Sequence, residues 1–166
     1  FGDADVTITV ATIRIRGLTV TSSDTDVATI LSIDMRSGTA TLTIQGVGTT
    51  TITVSAPESD DYNAVSVQQT LTVNKADQVI NFDLIDELNL AERSTWNFSS
   101  TGGDSEEPVT FTSSDDGVVT VSGSTLTLVS AGVATITANQ SGNDNYEAAE
   151  PVAQTLKIVE QYIWDG

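Results

Sequence analysis

The sequence predicts an all-β protein made of two tandem β-sandwiches, and three observations carry that expectation. The chain contains one stretch twice, short segments alternate apolar with polar residues, and no stretch keeps a convincing helical period. Val20-Thr21-Ser22-Ser23-Asp24-Thr25-Asp26-Val27-Ala28-Thr29-Ile30 returns as Phe111-Thr112-Ser113-Ser114-Asp115-Asp116-Gly117-Val118-Val119-Thr120-Val121. Leu42-Thr43-Ile44, Ile52-Thr53-Val54 and Asp60-Asp61-Tyr62 return as Leu126-Thr127-Leu128, Ile136-Thr137-Ala138 and Asp144-Asn145-Tyr146. Both copies close alike, in Gln69-Thr70-Leu71-Thr72-Val73 and Gln154-Thr155-Leu156-Lys157-Ile158.

Taken in order, Val6, Ile8 and Val10 alternate with threonines, the period of a half-buried strand. Ile13 and Ile15 alternate with Arg14 and Arg16 until Gly17 breaks the run. Leu18 and Val20 lead into the Ser22-Ser23-Asp24 turn, whose side-chain oxygens can bond their own backbone. Val27 and Ile30 form the next strand, and residues 33–39 a polar hairpin with Ser37-Gly38 at its tip. Leu42 and Ile44 resume the pattern, Gly46 and Gly48 turn it, and Ile52 and Val54 carry it on. The loop of residues 57–63 then leads to a strand over 65–73. The offset between the copies falls from 91 to 84, so the first copy carries seven extra residues, all in the hairpin of residues 31–41. The second copy adds an opening strand, Gln78-Val79-Ile80-Asn81-Phe82, and a second built on Trp96 and Phe98. Between them, residues 83–92 hold the single helical candidate, read as one short turn or a long loop. The first copy has no such opening strand, whereas Gln161-Tyr162-Ile163-Trp164 follows the last strand of the second copy as Gln78-Val79-Ile80 follows the first. The chain also starts at Phe1 without Met or a signal peptide, as a processed or excised piece would.

Composition narrows the function. Hydrophobic residues make up 39% and aromatics 5%, so the cores must be built from Val, Ile, Leu and Ala. A formal charge of −17 leaves no basic footprint for nucleic acid, and no apolar run is long enough for a membrane span. Charge is uneven: residues 1–74 hold eight acids and three bases, residues 75–166 fifteen acids and three bases. With no Cys and no His, disulfides, thiolate metal sites and imidazole chemistry are excluded. Carboxylate pairs remain at Asp60-Asp61, Glu106-Glu107 and Asp115-Asp116, all in turns, where solvated charge is ordinary. The chain is therefore expected not to be an enzyme.

About seven short strands per unit, with frequent turn signals, point to an immunoglobulin-like sandwich. Pro108-Val109-Thr110-Phe111-Thr112-Ser113-Ser114-Asp115, Ala131-Gly132-Val133-Ala134-Thr135-Ile136-Thr137-Ala138 and Gly142-Asn143-Asp144-Asn145-Tyr146 resemble the bacterial immunoglobulin-like domains of surface adhesins and fibres. Val73-Asn74-Lys75-Ala76 before Gln78 and Ile80 is similar to that family's module junction. The first copy departs by carrying Pro57-Glu58-Ser59-Asp60-Asp61-Tyr62 and by its longer hairpin. The resemblance implies stalk, adhesin or filament duty on a bacterial cell surface.

The expected domains are 1–74, a module lacking its opening strand; 75–159, a complete module; and 160–166, the start of a further module or a donor strand. Asp60, Asp61, Asp77 and Asp144 are candidate calcium ligands, since hard cations take oxygen donors, although no EF-hand spacing is present. No other cofactor is expected. Tyr62 and Tyr146 recur at one place and read as structural tyrosines covering the core edge; Trp96 and Trp164 read as buried. Residues 160–166 are read first as the start of a further module in a tandem array on one polypeptide; the alternative is strand exchange between copies through Tyr162, Ile163 and Trp164, with Ile163 the anchor. The short junction between Asn74 and Gln78 argues for few accessible orientations and a rod. Expected partners are neighbouring modules or copies of the chain in a fibre, or a ligand on a host or prey cell. The rival reading is a ligand- or calcium-binding adhesive module using the 33–39 and 57–63 loops.

Overall fold

The computed structural model describes residues 5–10, 17–60 and 62–160. The strand expected around Ile13 and Ile15, the candidate ligand Asp61, and Tyr162, Ile163 and Trp164 lie outside the described residues. Every regular element in the described residues is a β-strand. The chain divides into two compact units, Phe1–Ala76 and Asp77–Gly166. Each is an immunoglobulin-like β-sandwich.

In the first unit, β1 (Val6–Thr9), β4 (Thr39–Ile44) and β3 (Ala28–Asp34) form one sheet in the order β1-β4-β3. The other is β2-β5-β6, with β2 Thr19–Ser22, β5 Gly48–Ala56 and β6 Val65–Val73. All pairings are antiparallel, and β5 and β6 pair along their whole length, from Gly48↔Val73 to Ala56↔Val65. Alternation sends Val20, Ala28, Ala40, Leu42 and Ile52 into a small core, with half-buried Ile8, Val10, Ile30 and Leu71 packed against it. The extra hairpin residues lengthen β3 and β4 past a bulge between Ile30 and Ser32. Gly38 turns that tip with φ +71°, a conformation that costs glycine nothing.

The second unit opens with β7 (Asn81–Phe82), paired with β10 (Ser100–Thr101). β12 (Val119–Ser122), β13 (Thr125–Leu128) and β9 (Thr95–Asn97) form a three-stranded sheet. The third sheet runs β11-β14-β15-β8, from β11 (Val109–Ser113), β14 (Gly132–Gln140), β15 (Val152–Val159) and β8 (Glu87–Asn89). Phe82, Phe98 and Phe111 meet at centroid distances of 5.3, 5.1 and 4.8 Å in edge and tilted arrangements, which aromatic quadrupoles favour. Around them Leu126, Ile136, Leu156 and Ile158 complete a larger core.

The sequence repeat is also a repeat of register. Val20↔Val54 corresponds to Phe111↔Ala138, Ala28↔Ile44 to Val119↔Leu128, and Gly48↔Val73 to Gly132↔Ile158. Residues 83–92 differ from expectation. They are not one long loop: the chain crosses between sheets, makes β8, and closes a single turn in which the Asn89 carbonyl accepts the Glu92 and Arg93 N–H groups (3.2 and 3.3 Å). The outer edge of β15 offers main-chain donors and acceptors to Glu87–Asn89, and the pairing buries Leu88. A lone helical turn would have left both sets of groups to water. The opening strand is likewise shorter than expected, with two residues in its ladder.

Candidate functional site

The recurrent Ser-Ser-Asp turn builds the fold. Ser23 N–H donates to the Thr51 carbonyl (3.0 Å) and Ser23 Oγ accepts the Thr51 N–H (2.9 Å); Ser114 and Thr135 repeat both bonds at 2.9 and 2.8 Å. Asp24 Oδ1 accepts the Asp26 N–H at 3.0 Å, and Asp115 Oδ1 the Gly117 N–H at 2.9 Å. These side chains are consumed by backbone.

Gly142-Asn143-Asp144-Asn145-Tyr146 has the same character. Asn143 Oδ1 accepts the Asn145 and Tyr146 N–H groups (2.9 and 3.0 Å), while its Nδ2 donates to the Ser105 carbonyl at 3.0 Å. A Cβ on Gly142 would run into the Tyr146 carbonyl, so the close approach requires glycine. Two buried glutamines tie this loop to residues 102–107. Gln78 Nε2 donates to the Ser141 and Glu147 carbonyls (2.9 and 2.8 Å) and its Oε1 accepts the Ser105 N–H at 3.3 Å. Gln140 Oε1 accepts the Gly103 N–H at 2.7 Å, and its Nε2 donates to the Glu107 carbonyl at 2.7 Å. Nothing in the sequence pattern marked these glutamines, because alternation makes no distinction between a polar residue facing water and one facing loop carbonyls.

The first unit has Ala56 where Gln140 stands and Ser59 where Asn143 stands, and its loop closes through paired Ser59 and Tyr62 backbone bonds (2.8 and 3.3 Å). Tyr62 is consequently 78% exposed, against the expectation that it covers the core edge; Tyr146, in the tethered loop, is half-buried. Trp96 is also half-buried rather than enclosed, with the Arg93 guanidinium 4.8 Å above its ring.

Asp60, Asp77 and Asp144 are all exposed, and among the described residues no group of three or more acidic side chains could hold one metal ion. Glu106, Glu107, Asp115 and Asp116 are exposed as well. The Asp34 carboxylate is held below its ordinary range by the Arg36 N–H, the Ser37 hydroxyl and the Ser37 N–H at the hairpin tip.

Two features remain that could do something beyond folding. In the second unit, β8 runs parallel to β15, with Lys157 N–H donating to Asp86 O (2.9 Å) and Leu90 N–H to Val159 O (2.8 Å). Lys157 Nζ meets Glu87 Oε2 at 2.7 Å across this pair. In the first unit, a cavity of about 400 Å³ opens between β1 and β6, lined by Ile8, Val10, Leu42, Val67 and Leu71 among others.

No family model matches the chain, and no curated protein does. Among solved structures, human protocadherin-24 EC1-2 is 15% identical, covering 87% of this chain and 82% of its own, with a TM-score of 0.37. Mouse protocadherin-24 EC1-3 is also 15% identical and covers 87% of this chain at a TM-score of 0.38; the match spans 56% of its own length. The fold assignment rests on the strand ladders above.

Proposed function

We propose that the chain is a non-catalytic, load-bearing segment of an extracellular surface protein, of the stalk or fibre type found on bacterial cells. The parallel β8–β15 pair carries this reading. Tension enters the second unit from its beginning, ahead of β8, and leaves past the end of β15. Because the two strands run in the same direction side by side, the two forces oppose each other along the strand axes. The hydrogen bonds at Asp86–Lys157 and Leu90–Val159 are then loaded in shear and must break together rather than in sequence. The exposed carboxylates and the consumption of the recurrent Asn and Asp residues by backbone support the same reading.

Pulling the chain by its ends in single-molecule force extension tests it. The second unit should give one abrupt unfolding event, lengthening the chain by roughly 25–30 nm at about 3.3–3.6 Å per residue. Leu90→Pro, which removes the donor to Val159, should lower the unfolding force. Gradual lengthening at low force, without a discrete event, would overturn the proposal.

A further inference from the structure

The triplet Asn-x-Ser occurs twice, as Asn97-Phe98-Ser99 and Asn139-Gln140-Ser141. It is the pattern on which secreted proteins accept N-linked carbohydrate, and the fold treats its two occurrences differently. Asn139 lies inside β14, a strand paired on both sides, with β11 and β15. It is half-buried, its Nδ2 donates to the Thr137 carbonyl at 3.5 Å, and the Ser141 carbonyl accepts the Gln78 and Ser105 side chains (2.9 and 3.4 Å). Strands crowd that asparagine from both sides, and the segment after it is fastened down.

Asn97 ends β9, an edge strand that pairs with β13 alone among the described residues. Phe98 packs against Phe82 and Phe111, while Asn97 and Ser99 on either side of it are both exposed. Asn97 Oδ1 accepts the Thr125 hydroxyl at 2.8 Å, which orients the carboxamide, and Nδ2 has no partner among the described residues. The repeat shows that the fold does not need these two residues. Thr7 and Thr9 stand at their places in the first unit, also exposed, with Thr7↔Thr41 in the register of Asn97↔Thr125. The edge itself supplies a use for carbohydrate. Open strand edges are ordinarily guarded by charge or proline, and from Ser94 to Gly103 there is neither, on a chain of formal charge −17.

We propose that Asn97 is a modification site that carries an N-linked oligosaccharide, with Ser99 as the hydroxyl residue that the transferase reads. In the transfer, Nδ2 of Asn97 forms a bond to the anomeric carbon of a saccharide carried on a lipid diphosphate. The bond from that carbon to the diphosphate oxygen breaks, the lipid diphosphate leaves with the electron pair, and the amide nitrogen gives up one proton. The attached saccharide is a bulky, hydrated group that cannot pair as a strand, so it shields the β9 edge from other chains. The site rests on the extracellular part of the reading above, because this transfer takes place on the secretory side of a membrane.

Secretion of the full 166-residue chain from a eukaryotic cell line that makes N-linked glycans, followed by intact-mass spectrometry, tests the site. The expected product carries one glycan, released by peptide N-glycosidase. Asn97→Gln and, separately, Ser99→Ala should return the bare polypeptide mass, whereas Ser99→Thr and Asn139→Gln should keep the glycan. A wild-type chain secreted bare overturns the proposal, and so does a glycan that survives Asn97→Gln. Heating the glycosylated chain beside the same chain after enzymatic release tests the shielding: the released form should aggregate faster, and equal rates overturn that role. The pulling measurement on the second unit needs no carbohydrate, so the two readings fail separately.

Discussion

At the scale of single residues, Thr50 shows how one repeated turn is satisfied in two ways. Its buried Oγ1 accepts the Asp24 N–H at 2.9 Å and lies 2.8 Å from Ser22 Oγ. The second unit has Ala134 at this position, and there Ser113 Oγ accepts the Asp115 N–H at 3.2 Å. Thr50→Val should therefore cost about 1 kcal/mol, the low end for a lost buried bond, because Ser22 can rotate to replace it. Combining it with Ser22→Ala should cost more than the two changes separately, as thermal unfolding of the four proteins would read out. Asp34 gives a pH-dependent counterpart. Hydrogen bonds from Arg36 N–H and from Ser37 lower its pKa in the folded hairpin, so its stabilising effect is complete above the ordinary carboxylate value. That effect disappears as pH falls through the lowered folded value. An NMR titration of its side chain should place the midpoint below about 3.9, and hairpin-tip amide protection should drop over the same acid range.

At the scale of elements, the opening segment of the second unit does what local pattern alone did not reveal. Residues 83–92 offered Leu84, Leu88 and Leu90, a spacing that neither a helix nor a single strand explains fully. The resolution is a chain that changes sheets: Phe82 enters the aromatic cluster, and Leu88 is buried where β8 joins β15. Phe82→Ala should cost about 3–5 kcal/mol, the usual loss for a buried aromatic. At about 4–8 °C per kcal/mol for a domain of this size, calorimetry should show the transition of the second unit falling by more than about 12 °C. Glu87→Gln is the control: the Glu87–Lys157 pair is half exposed, and such pairs contribute less than about 1 kcal/mol.

For the whole molecule, the division at Ala76 and Asp77 separates two units with unequal cores. The second assembles 13 buried apolar residues, Phe82 among them, with half-buried Phe98 and Phe111 packed against it, whereas the core of the first has no aromatic side chain among the described residues. A fragment of residues 76–160 should thus unfold cooperatively near the higher of the two transitions of the full chain. Residues 1–76 alone should melt lower and over a broader range. Equal transitions in the two fragments, recorded by circular dichroism, would contradict this.

The sequence by itself determined the two-fold repeat and the main strands of each copy, because alternation of Val, Ile and Thr specifies which face of each strand is buried. It determined the insertion in the first hairpin as well, since the change of offset located it to residues 31–41, where β3 and β4 are indeed longer than β12 and β13. Tertiary structure alone decided that Gln78 and Gln140 hold a loop from inside, that Tyr62 faces water while Tyr146 does not, and that Glu87–Asn89 pairs with β15. The reason is common to all three. A residue's own neighbours in sequence set its local conformation and facing, but main-chain carbonyls and strand edges from distant segments decide which partner it meets there.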